Sequence, residues 1–89
     1  MVVVQTPHEL TDLHNTGAGF LFNDLRKIVS YRVWGTLHRA SCRHLLKMAT
    51  GSSWTDKYWF LTRQEALDWI DRQNDLEGRQ WRSCKKCSP

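Results

Sequence analysis

The sequence predicts a small α+β domain, a short sheet of about three strands with flanking helices. Three observations carry this. Two Thr-x-x-Glu segments, Thr6–Glu9 and Thr62–Glu65, have the form of helix-opening capping boxes. Three short runs rich in β-branched and aromatic residues lie near 31–37, 57–61 and 80–82. The chain is 89 residues long, so it forms one domain whose core buries only about 60–65% of its unfolded surface. A core that small needs a staple.

The first capping box has Pro7 at the first helical position and predicts a short helix over 7–14, broken by Asn15-Thr-Gly-Ala-Gly19. In Phe20 to Ser30 the spacing of Phe20, Leu21, Leu25, Ile28 and Val29 predicts a second helix, so residues 1–30 read as an N-terminal helical extension. Tyr31 to Leu37 is expected to be a strand leading directly to His38. Leu45, Leu46, Met48 and Ala49 suggest a short helix or turn packed on the core, closed by Thr50-Gly-Ser-Ser53.

Lys57 to Leu61 reads as the next strand. The second capping box opens a helix to about Asn74, with Ala66, Leu67, Trp69 and Ile70 as its apolar stripe and Glu65, Asp68 and Asp71 on the other side. Gly78 is placed to end that segment, and Gln80-Trp81-Arg82 to form a last strand. Of the five tryptophans, four are expected to fill the core and cover the site, with Trp54 as the exception.

Two half-sites stand out, His38-Arg-Ala-Ser-Cys42 and Cys84-Lys-Lys-Cys87. A C-x-x-C turn converges two sulfurs on one ion while backbone amides stabilise the thiolates, and a four-coordinate zinc draws its other two ligands from elsewhere. The H-x-x-x-C turn supplies them. His44 is the competing nitrogen ligand, and His8 and His14 read as surface residues. The expected staple is therefore zinc on His38, Cys42, Cys84 and Cys87, making 31–89 a zinc-binding module. Three cysteines, an odd number, do not fit a fully paired secreted scaffold, and MVVVQTPHEL lacks the basic flank of a signal peptide, so a reducing cytoplasm is expected.

The order of strand, H-x-x-x-C, apolar segment, strand, capped helix with Glu-Ala-Leu, and then W-R-S-C-K-K-C-S-P resembles the N-terminal metal-binding domain of the Ada DNA-repair protein, over residues 31–89. The resemblance implies zinc at all four positions. In that family the first ligand is a cysteine that also accepts a methyl group from DNA methylphosphotriesters. Here His38 stands at that position, and Ser83 stands where the family usually has proline before the C-x-x-C. The resemblance thus implies a zinc-binding, DNA-contacting module without methyl-acceptor activity.

Thirteen basic and nine acidic side chains give a formal charge of +4. Arg39, Arg43 and Lys47 flank the first half-site, and Arg82, Lys85 and Lys86 the second. A shared metal gathers all six at one end of the domain, where they are expected to bind nucleic acid, DNA by preference. The alternative is a regulatory protein-interaction module with a purely structural zinc, whose partner surface lies in the first 30 residues, for instance at Phe20-Leu-Phe22. An enzyme is the weakest reading. Four protein ligands leave zinc no open position for water, and no separate catalytic set is visible.

Overall fold

The computed structural model describes residues 1–27, 33–45, 47, 54–73, 80–87 and 89. Its strands are β1 (Val2–Val4), β2 (Phe20–Asp24), β3 (Val33–Arg39), β4 (Asp56–Phe60) and β5 (Gln80–Ser83), and its helices α1 (Pro7–Thr16) and α2 (Arg63–Arg72). The five strands form one sheet in the order β1-β4-β2-β3-β5. Neighbours are antiparallel except for the last pair, where β5 runs parallel to β3. The fold is α+β, with five strands among the described residues rather than about three.

Both capping boxes form. Thr6 and Thr62 lie in extended backbone, and their hydroxyls accept from the backbone N–H of Glu9 and Glu65, each at 3.2 Å. Gly17, in the left-handed region at φ 75°, ends α1 by donating its N–H to the Leu13 carbonyl. Gly19, at φ 85°, lets β2 begin against β4: a Cβ there would lie 2.5 Å from the Phe60 carbonyl oxygen.

The expected helix beginning at Phe20 is instead β2, which pairs with β3 on one side and β4 on the other. A central strand is buried on both faces and so reads as a continuous apolar run, which periodicity alone does not distinguish from a buried helix. Leu21 packs with Val4, Leu10, Cys42, Leu45 and Cys84 on one face, and Phe22 with Trp34, Leu37, Phe60, Ala66 and Ile70 on the other. β1 and β2 thus both join the sheet, with the expected first helix, α1, between them. Leu21 and Phe22 are fully buried, which removes Phe20-Leu-Phe22 as a partner surface.

The two faces divide the labour. One carries α2 over an aromatic cluster in which the Trp69 ring lies 4.6 Å from Tyr58 and 5.7 Å from both Phe22 and Phe60, centroid to centroid. The other carries α1 and the two half-sites. The calls on Ile28, Val29, Ser30, Tyr31, Leu46, Met48, Ala49, residues 50–53, Asn74 and Gly78 lie outside the described residues.

Candidate metal centre

β3 ends in the first half-site and β5 in the second, and their parallel pairing places the two side by side. Thr36 and Leu37 are register partners of Arg82 and Ser83, so His38 and Cys84 come next on adjacent strands. The Cys84 N–H continues the ladder to the Leu37 carbonyl at 2.8 Å. Beyond β3 the chain turns at Ala40, whose N–H donates to the Gly19 carbonyl at 3.0 Å, and Cys42 folds back under the strand end.

The ligand atoms of His38, Cys42, Cys84 and Cys87 all lie within 4.8 Å of one another, a set able to hold a metal ion. The Cys42 and Cys84 sulfurs are 3.9 Å apart. His38, Cys42 and Cys84 are buried, and Cys87 is half-buried. His44 is not in this group. It is half-buried on the rim, and its contribution is its backbone N–H, which hydrogen-bonds the Cys42 sulfur.

Two observations on the donors bear on whether a cation fits. His38 is 2% exposed, and neither ring nitrogen has a hydrogen-bond partner among the described residues. A buried unsatisfied polar atom costs about 1–3 kcal/mol, which a coordinate bond from the imidazole would relieve in part. The sulfurs are also met by backbone donors. The Arg39 N–H reaches the Cys87 sulfur at 3.2 Å, and the N–H groups of Cys87 and Lys86 reach that of Cys84. Such donors favour thiolates. The Arg39 side chain adds an Nε–H bond of 2.9 Å to the Cys87 carbonyl, tying the C-x-x-C turn to β3.

The titration pattern agrees with a site built for a cation. Burial, with smaller effects from His44 and Lys57, holds His38 down at about 4, so its imidazole is neutral at pH 7. Burial pushes the Cys42 thiol up to about 12, against the His44 N–H and with the neighbouring Cys87 and Cys84 thiols adding to the rise. For Cys84 burial acts upward too, but the N–H groups of Cys87 and Lys86 and the other two thiols outweigh it, and it falls below the ordinary thiol value. A cation held among them would favour the ionised form of all three sulfurs.

All six basic residues singled out from the sequence are exposed around this centre. Arg39, Arg43, Lys47 and Lys86 line a cleft of about 660 Å³ with Ser41, Cys42, His44 and Cys87. Arg82, Lys85 and Lys86 line a second, of about 330 Å³, with Thr36, His38, His44, Ser83 and Cys84. No carboxylate among the described residues lines either cleft. Glu65, Asp68 and Asp71 belong to α2, on the opposite face of the sheet.

His8 is exposed and pairs with Asp12 at 3.4 Å, whereas His14, expected at the surface, is half-buried, its Nδ1 without a hydrogen-bond partner among the described residues. Sequence reasoning missed Lys57, which is 1% exposed on the site's face of the sheet. Its Nζ donates to the Thr55 carbonyl at 2.8 Å and to the Thr55 hydroxyl at 3.0 Å, and burial lowers it to about 8 despite neighbouring Asp56. A lysine in an alternating strand looks solvent-facing, so no local signal marked it.

Compared with protein-family models, curated proteins and solved structures, the chain shows no match. Among the described residues no helix is long and apolar enough to cross a membrane.

Proposed function

We propose that this domain is a zinc module that binds nucleic acid through its phosphates. Zinc is the ion that best suits three sulfurs and one imidazole, a soft donor set of four with tetrahedral preference. Zinc–sulfur bonds of about 2.3 Å imply sulfur–sulfur edges of about 3.8 Å, and the Cys42–Cys84 separation is 3.9 Å. When bound, the ion would ionise the thiols and clip the end of β3 to the C-terminal turn. With four protein ligands its role is structural, in keeping with the Ada-like spacing and the reducing compartment expected for free thiols.

The observation that carries the nucleic-acid reading is the convergence of six cations on two adjoining clefts, with no carboxylate among the described residues that line them. These cations are separated by about forty positions in sequence, and the β3–β5 pairing brings them together. Binding through such a patch should rest on counterion release rather than base edges.

Titration of labelled DNA with zinc-loaded protein at several salt concentrations tests this. Six phosphate contacts predict a log–log slope of about −5 on duplex and about −4 on a single strand. Reversal of Lys85 and Lys86 to Glu should weaken binding and flatten the slope by about 2. The same change at Arg72, on α2, should do neither. Absence of binding at low salt, or indifference to the double reversal, would leave the protein-interaction reading in its place. The sheet edge at β1, with Val2 48% and Val3 47% exposed, is the surface such a partner would use.

A further inference from the structure

We infer that the ligand is single-stranded nucleic acid, with one base stacked on Trp54; this rests on the phosphate-binding reading above and narrows it. The starting point is the fate of the five tryptophans. Trp34, Trp69 and Trp81 belong to the aromatic cluster beneath α2. Trp59 packs against the core beside the metal site and donates its indole N–H to the Ala18 carbonyl at 2.9 Å. Trp54 alone among them is exposed, with 38% of its surface in solvent. It is tethered rather than loose: the Lys57 Nζ sits 4.1 Å from its ring centroid.

That tether fixes where the ring stands. Lys57 on β4, Asn23 on β2, Thr36 on β3 and Arg82 on β5 are successive register partners, one row across a single face of the sheet. Thr36 and Arg82 line the smaller basic cleft, so the row begins at the phosphate site and ends beneath the indole. At about 4.8 Å per strand, Lys57 stands about 10 Å from Thr36. A strand whose phosphates lie in the clefts at Arg82, Lys85 and Lys86 is therefore led towards an exposed aromatic surface on the same face. Lys57 is anchored through Thr55, whose hydroxyl donates to the buried Asn23 side chain, so the platform's support is itself part of the sheet.

The combination of a cationic track with an aromatic plate is how sequence-tolerant single-strand binders work, since every base has a face to stack. A duplex keeps its bases stacked on each other and offers Trp54 nothing. The arrangement therefore discriminates strand from duplex by the ring and retains either through the charges.

Fluorescence anisotropy on the zinc-loaded full chain, with a labelled twelve-nucleotide oligothymidine and a mixed-sequence duplex of equal length, tests the inference. Trp54→Ala should weaken oligothymidine binding about tenfold or more while leaving the duplex affinity and the salt slope unchanged, because a stacked base releases no counterions. Trp54→Phe should recover most of the loss, and oligothymidine should quench a component of tryptophan emission that Trp54→Phe lacks. Unchanged zinc content and melting temperature in both variants would show the fold intact. If Trp54→Ala has no effect on oligothymidine, or weakens duplex equally, while the Lys85 and Lys86 reversal still acts, stacking is refuted and the phosphate reading stands. If neither nucleic acid binds at low salt, both fall together.

Discussion

Replacing His38 by leucine should change the sign of its effect with the metal. With zinc present the substitution removes one of four ligands. Structural zinc contributes about 10–16 kcal/mol in small finger peptides, so an equal share for each of four ligands is about 2.5–4 kcal/mol. A domain of this length shifts about 4–8 °C per kcal/mol, which places the fall in melting temperature at about 10 °C or more. With zinc chelated the sign reverses. His38 then buries two ring nitrogens without partners among the described residues, each costing about 1–3 kcal/mol, and leucine removes both at similar volume. The variant should be at least as stable as the native chain and about 2 kcal/mol more stable where packing is kept. Urea unfolding followed by circular dichroism, with added zinc and with chelator, alongside metal analysis, measures both arms. His44→Leu is the control, since the Cys42 sulfur receives a backbone N–H at position 44 that any residue but proline supplies. Unchanged zinc content and stability in His38→Leu, or the loss appearing in His44→Leu instead, would refute the ligand assignment.

Further expectations follow from the same geometry. Lys57 releases its proton near pH 8 in the folded protein but near 10.5 when unfolded, so between these values the folded state holds fewer protons and stability should rise with pH. The gain, about 3 kcal/mol at most, should be absent in Lys57→Met, as paired denaturation curves at pH 8 and 10 would show. Gly19→Ala meets the Phe60 carbonyl at a positive φ and should lower the unfolding free energy measured in urea by well over about 1 kcal/mol, whereas Ala18→Gly beside it should cost less. Methyl transfer from methylphosphotriester DNA should be undetectable by mass spectrometry at Cys42, Cys84 and Cys87. An imidazole in place of the fourth thiolate reduces the shell's charge from minus two to minus one and leaves the sulfurs less nucleophilic. An adduct on any of the three would overturn this.

Much of the molecule was legible one segment at a time. The two helix starts were readable because a threonine hydroxyl caps an amide three residues on, a contact set by local sequence. The strands at β3, β4 and β5 showed in β-branched and aromatic residues, and the ligand set in two spacings that each fit a single turn. Where a signal depended on partners far along the chain, it failed. Phe20-Leu-Phe22 looked like a helix because a strand covered on both faces loses its alternation, and only the placement of β2 between β3 and β4 decides it. Val2–Val4 is a strand because Lys57–Trp59 is there to pair with it.

The site divides the same way. Which residues can ligate is a matter of side-chain chemistry, and His38, Cys42, Cys84 and Cys87 were readable from the sequence with His44 as the competitor. The pairing of β5 with β3 is what brings the His38 ring, and not that of His44, to the sulfurs. Trp54 was readable as the exception among the tryptophans from the Gly-Ser-Ser stretch before it, and it is exposed. The burial of Lys57 was settled only by tertiary structure, since a lysine in a strand does not differ locally from a solvent-facing one and what buries it is the face of the assembled sheet that it meets.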